Sequence, residues 1–328
     1  MTATQRYLHI ANGSATTDLI AAAGIPGTLS IWADPLYEGP VPAGLTDAEL
    51  VDVRGRYLGG DDPDSDPVND LRRWRAVIAD HDSYEELILW FEHDLFDQLN
   101  LIQVLTWIVE HLSVPKRVSL VLVGSFLGRP EFHGLGELTP GELASLLDTR
   151  QPISEAQYTL AQTSWSAFRA STPHALDDLR HNDTSALPYL SAAILRFLQE
   201  YPWTRDGLSR TERRLLELAQ GRDVKLSVAF PRMHDGEKAY YVTDLSVAGL
   251  AATLSSTSPP LLHLKRPATS ENALHGTVTA TEVGSAVLAG TRDRVLTCGV
   301  DRWLGGVHLQ SEGNLWRWDD SRQLITRA

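Results

Sequence analysis

The chain has 328 residues, with 29 Lys and Arg against 42 Asp and Glu, a formal net charge of −13 and one cysteine. At roughly 100–200 residues per domain, this length implies two or three domains, and a hydrophobic fraction of 43% with nine Trp excludes a disordered chain. The single Cys298 excludes an intrachain disulfide and a multi-cysteine zinc site, and fits a reducing, cytoplasmic setting.

The first half reads as strands alternating with helices. Tyr7–Ile10 is a short apolar run, followed by Asn12-Gly13-Ser14 and a helical stretch from Ala15 to Ala23 that Gly24 stops. Leu29–Trp32 is a second run, ended by Asp34-Pro35. Thr46 with Glu49 three residues on is a capping box, opening a helix from Asp47 to about Tyr57. Gly59–Pro67 is acidic and rich in breakers, and reads as a loop; Val68–Ala79 has helical spacing. Leu87–Phe91 and Val118–Val123 are buried-type strands. Between them, Leu95–Leu112 is apolar on almost every side, as in a helix buried against a sheet. Such alternation predicts a parallel sheet with helices on its faces.

The middle is helical. Thr139-Pro140 with Glu142, and Ser154 with Gln157, are capping boxes, and Leu187–Glu200 is a third helical stretch. Further on, Ser209 with Glu212 caps a helix stopped by Gly221, Asp244–Leu254 has helical spacing and Leu261–Leu264 reads as a strand. Thr279 with Glu282 is read as the cap of TEVGSAVLAG. Trp303–Leu309 and Leu315–Trp318 read as two strands joined by the turn SEGN, a terminal hairpin of winged-helix type. No segment reads as a signal peptide or a membrane span, so no membrane partner is expected. The expected fold class is α/β: a Rossmann-like parallel sheet of about four strands (1–136), a helical segment packed on it (137–203), and a winged-helix-like α+β domain (204–328).

Charge divides along the same line. Residues 1–200 carry 13 Lys and Arg against 28 Asp and Glu, whereas residues 201–328 carry 16 against 14. An acidic first part repels phosphate backbones. The near-neutral last part leaves DNA or a protein as partners of residues 204–328.

In an open parallel sheet, ligands sit beyond the carboxyl ends of the strands. Those ends carry His9 with Asn12-Gly13-Ser14, then Asp34, then Glu92-His93-Asp94 with Asp97 and Gln98, then Ser125. The segment 92–98 is the densest. Turn and cap preferences account for an acid at a helix start, but not for Glu92 at the end of an apolar strand, where a carboxylate needs a partner. Glu92 and His93, with His9 and Asp34, are candidate catalytic acids and bases. Asp94 and Asp97 are candidate ligands of a divalent cation such as Mg²⁺. Asn12, Gly13, Ser14, Gln98 and Ser125 are candidate substrate contacts, the Asn-Gly-Ser turn offering N–H groups to an anion. The bland alternatives are a satisfied core histidine for His9 and turn or cap roles for the rest. Ser125 with His133 has no nucleophile elbow around it. The cluster Arg205, Arg210, Arg213 and Arg214 is read either as phosphate contacts or as a solvated face paired with Glu212 and Glu217. Trp303, Trp316 and Trp318 are read as hairpin packing rather than base stacking.

The segments HIANGSATTDLIAAAGIPG, IWADPLYEGPVP and LWFEHDLFDQLNLIQVL resemble the bacterial domain-of-unknown-function family catalogued under number 1835. GLSRTERRLLEL and DRWLGGVHL resemble the C-terminal companion region such proteins often carry. The family pattern commonly places an aspartate after Asn-Gly, where this chain has Ser14, and reads Trp-Arg-Asp where it has Trp32-Ala33-Asp34. The resemblance implies the sheet layout above and brings no established activity. The expected function is a small-molecule-binding enzyme, a hydrolase or transferase, acting on an anionic or nucleotide-like substrate at the sheet's carboxyl edge. The alternative is a ligand-sensing regulator whose C-terminal domain binds DNA or a protein.

Overall fold

The computed structural model describes residues 7–59, 65–112, 117–240, 242–266 and 272–328. Most of the acidic loop at Gly59–Pro67 lies outside them. Contacts divide the chain into two compact units, Met1–Ile194 with Gly305–Val307, and Leu195–Leu304 with His308–Ala328.

The first unit is built on β1 (Tyr7–Ala11), β2 (Thr28–Ile31), the two-residue β3 (Gly39–Pro40), β4 (Glu86–Glu92), β5 (Val118–Val123) and β6 (Gln151–Pro152). Five of these form one sheet in the order β2-β1-β4-β5-β6. The first four run parallel, and β6 is antiparallel to β5. All seven residues of β4 are buried, as expected of a central strand covered on both faces. The expected mixed α/β class is observed, with a fifth, short strand added at one edge.

The helices of this unit are α1 (Ser14–Ala22), α2 (Asp47–Gly59), α3 (Pro67–Ala79), α4 (Leu95–His111), α5 (Pro140–Leu146), α6 (Glu155–Arg169) and α7 (His174–Leu179). On one side of the sheet, Ala11, Ile88, Trp90, Val121 and Val123 pack with Ile20 of α1 and Leu143 of α5. α4 has almost no solvated face: even Gln98, Asn100, Gln103 and Thr106 are buried. It begins where the Asp94 carboxylate accepts from the Asp97 N–H. The capping boxes at Thr139 and Ser154 form as read.

α8 (Leu190–Leu198) leads into the second unit. There α9 (Arg210–Ala219), β7 (Val224–Lys225), α10 (Leu226–Arg232), α11 (Asp244–Ser256), β8 (Leu262–Lys265), β9 (Thr277–Ala280), α12 (Glu282–Leu288) and α13 (Arg294–Cys298) follow in turn. β7, β9 and β8 form an antiparallel sheet in that order. The chain ends with β10 (Asp301–Gly305), β11 (Val307–Gln310), β12 (Trp316–Asp319) and β13 (Leu324–Arg327).

Two expectations are corrected here. The terminal residues do not make one hairpin around SEGN: β10 neighbours β11, and β12 pairs with β13. The stretch Trp303–Leu309 contains Gly305-Gly306, and Gly305 has φ 58°, so the chain turns inside the predicted strand. The cap of α12 is Thr281 rather than Thr279, because Thr279 lies in β9 and its hydroxyl donates to Asp223. Among the described residues no helix is long and apolar enough to cross a membrane.

Candidate functional site

Because β1, β4 and β5 run parallel, their carboxyl ends meet at one edge, with Glu92 opposite Val123 and Ala11 opposite Trp90. Asn12 follows β1 directly. Its side-chain amide donates to Glu92 Oε1 at 2.8 Å and to Asp97 Oδ2 at 3.1 Å. Its carbonyl accepts from the Thr16 hydroxyl at 2.7 Å, which fixes the amide's orientation. Glu92 Oε1 also accepts the Leu135 N–H at 2.7 Å. The Glu92 N–H donates to Asp97 Oδ1 at 2.6 Å, and Gln98 Nε2 donates to the Glu92 carbonyl at 2.6 Å.

Glu92, Asp94 and Asp97 are all buried, and one oxygen from each lies within 4.8 Å of the others. The groups acting on them are other carboxylates, amide N–H groups and the Asn12 side chain. Burial, then the charge of Asp94, pushes Glu92 up to about 8. Burial pushes Asp94 to about 6, and burial with the neighbouring acids holds Asp97 well above the usual carboxylate range. Three buried acids in one small volume cannot all stay ionised without a counter-charge. Protons or a cation must supply it. Oxygen ligands of a hard divalent cation sit about 2.1–2.5 Å from it, so opposite ligands are roughly 4–5 Å apart. The cluster meets that span. Gln98 Oε1, also buried, has no hydrogen-bond partner among the described residues.

The other predicted residues divide. Gly13 is the N-cap of α1, makes no side-chain capping bond, and has open space where a Cβ would stand. Ser14 is exposed in the first turn, beside the acidic cluster's Asn12. His93 packs its ring against Phe132 and Tyr189, at centroid distances of 6.3 and 6.0 Å. Ser125 is exposed in the loop after β5. His133 bonds Glu137 at 3.0 Å, an arrangement that does not make it the base of Ser125.

His9 and Asp34 are placed away from the carboxylate cluster. His9 is fully buried within β1, where Trp90 Nε1 donates to its Nδ1 at 3.1 Å and its Nε2 faces the Pro26 carbonyl at 3.3 Å. Burial lowers its proton affinity. These are the contacts of a satisfied core histidine. Asp34 receives Arg54 through both oxygens, and its backbone is held on both sides by the Asn100 amide. It fastens the β2 exit to α2 and α4.

Arg205 and Arg213 pair with Asp206, Arg210 with Glu237, and Arg214 with Asp235. The partners are not the predicted Glu212 and Glu217, because Glu212 turns back to cap α9 and meets Arg294. Trp316 and Trp318 are buried, whereas Trp303 stacks flat on His308 at 4.5 Å.

Sequence reasoning missed Gly134 and Leu135. A Cβ on Gly134 would overlap Glu92 Oε2, so the loop crosses directly over the carboxylate. The glycines of GRPEFHGLGEL hinted at a close approach, but nothing in the sequence names its target. Gly134→Ala is expected to cost about 1–3 kcal/mol by overpacking. Urea unfolding followed by Trp fluorescence checks this, and an unchanged midpoint would mean that the loop stands clear of Glu92.

Comparison with protein-family models finds no match, and comparison with curated proteins finds none either. Among solved structures, a structure of the DnaG catalytic core is similar at 13% identity and a TM-score of 0.26, over 60% of this chain. The match spans about half of that chain, 51% of its length.

Proposed function

We propose that this protein is a hydrolase or transferase in which Glu92, Asp94 and Asp97 hold a hard divalent cation, and that its substrate is a small anion. The observation that carries this reading is the burial of three neighbouring carboxylates whose hydrogen-bond donors, among the described residues, are all neutral. The cation would supply Lewis-acid polarisation of a substrate oxygen. The chain's own residues do the rest. Asn12 spaces Glu92 from Asp97, the Leu135 N–H orients Glu92, and the open N-terminus of α1 at Gly13 and Ser14 offers N–H groups to a negative charge. His93, half-buried beside Phe132 and Tyr189 and between Glu92 and Asp94 in the chain, is the proton-transfer candidate.

Titration with Mn²⁺ at pH 8, followed by calorimetry, tests the core of the proposal. One saturable site is expected, weakened by about tenfold or more in Asp94→Asn, since a charged ligand is lost. No binding at millimolar Mn²⁺ by a folded protein would sink it.

A second reading, a regulator, draws support from the order α9-β7-α10-α11-β8-β9 and its antiparallel sheet, which is the order of a winged helix. In that arrangement α11 would face the partner. Its sequence DLSVAGLAATLSS has no Lys or Arg, and Leu245 is 71% exposed. That surface favours a protein over DNA, whose binding depends on cationic contacts.

A further inference from the structure

The first unit has a cleft of about 480 Å³ between the end of α4, the start of β5, the edge strand β6 and the start of α6. Val118 opens β5, so the cleft lies at the amino end of the parallel strands, whereas the acidic cluster stands at their carboxyl end. α4 brings Ile108, Val109 and Leu112 to it, and Ile153 and Tyr158 form the facing wall. Val109 is 43% exposed, and Leu112, Ile153 and Tyr158 are only half-buried, so each keeps apolar surface in contact with solvent. Among the described residues no ring or guanidinium covers the Tyr158 ring, and its hydroxyl has no hydrogen-bond partner. Burial pushes that phenol up to about 12, so it stays a neutral donor at ordinary pH.

Among the described residues the cleft's one charged side chain is Arg117. Its Nε stands 3.2 Å from Glu86 Oε1. The same oxygen accepts the Ser119 hydroxyl at 2.5 Å and Arg150 Nε at 3.3 Å. Two guanidiniums thus share one carboxylate and leave a positive charge in excess. Asp148, 3.9 Å from Arg150, is 99% exposed, and water screens it. Arg117 is the outer of the two cations, 53% exposed against 22% for Arg150, so the excess charge is presented at the cleft. Aliphatic walls, one cation and no anion make up the lining.

We propose that this cleft is a second binding site, for a small aliphatic monocarboxylate, its carboxylate on the Arg117 guanidinium and its chain along Ile108, Val109, Leu112 and Ile153. The charge sets the polarity: an ammonium in place of the carboxylate meets Arg117, and an uncharged head group gains nothing from it. The site is independent of the acidic cluster.

The test uses the full chain with butanoate, hexanoate and octanoate, and with octan-1-ol and octylamine, read by calorimetry. Octanoate is expected to bind saturably, each CH₂ from butanoate upward tightening binding by about threefold to fourfold as a methylene is buried. In low salt octan-1-ol is expected to bind about fivefold more weakly than octanoate, and octylamine more weakly still. The difference between octanoate and octan-1-ol is expected to close in about 1 M NaCl. Arg117→Gln is expected to remove the same difference while leaving octan-1-ol unchanged, and Glu86 keeps Arg150 and Ser119 in that variant. Val109→Glu, at an exposed helix position, is expected to weaken octanoate by about tenfold or more and octan-1-ol less. The proposal is overturned if octanoate does not saturate by about 10 mM. It is equally overturned if octan-1-ol matches octanoate in low salt, which would mark a merely apolar groove, or if affinity ignores chain length, which would mark a surface ion pair. A dimer in sedimentation that Val109→Glu dissociates would also overturn it, because a second copy of the chain would then cover the cleft.

Discussion

Arg54→Ala is expected to lower the unfolding free energy of the first unit by about 3–5 kcal/mol, the cost of stranding a buried charge. Arg54 and Asp34 have side-chain exposures of 1% and 2%, so water cannot take over when either is removed. The guanidinium also donates to the Glu38 carbonyl at 2.6 Å and the Pro35 carbonyl at 3.1 Å, and both would lose a donor. The double variant Arg54→Met with Asp34→Leu is expected to be less damaging than Arg54→Ala, because it leaves no unpaired charge. Urea unfolding of the three proteins checks this. A loss below about 1 kcal/mol in Arg54→Ala would show that the pair is solvated after all.

Without divalent cations, stability is expected to fall as pH rises from about 4.5 to about 8. Glu92 ionises near 4.5 in the unfolded chain and near 8 in the folded one. Its protonated form is therefore the one the fold prefers. The benefit is complete below 4.5, drains away as pH climbs toward 8, and is gone above it. Asp94, raised from 3.8 to about 6, acts in the same direction over a lower window. The summed loss is on the order of a few kcal/mol, less than two independent acids would give, because these neighbours titrate together. Mn²⁺ at pH 8.5 is expected to restore it, since a cation replaces the lost protons. Melting curves in EDTA and in Mn²⁺ read both effects. Glu92→Gln is expected to flatten the slope. A stability that stays level from pH 5 to 8.5 in EDTA would contradict the burial of these acids.

The sheet was legible because β4 and α4 have opposite but unambiguous patterns: a short apolar run, then a long one bounded by Asp94 and His111. The acidic cluster was legible for the same reason, Glu92 being out of place on an apolar strand. His9 and Asp34 looked equivalent to it in sequence. Their partners Trp90, Pro26, Arg54 and Asn100 come from other elements, and no local pattern announces them. The end of the chain misled because Trp303 and Leu304 precede Gly305-Gly306 and Val307 and Leu309 follow them, so hydropathy shows one strand where backbone freedom makes two.

Three of the bonds that hold the carboxylates are donated by the main chain, from Leu135 to Glu92, from Glu92 to Asp97 and from Asp97 to Asp94. Main-chain donors are indifferent to side-chain identity. The Leu135 side chain is itself fully buried in the core beside the site, so the loop can exchange it for other apolar residues, proline excepted, without loosening its grip on Glu92. A search for this site in distant sequences should weight Asn12, the three acids and the glycine ahead of position 135, and should ask of position 135 itself only that it be apolar.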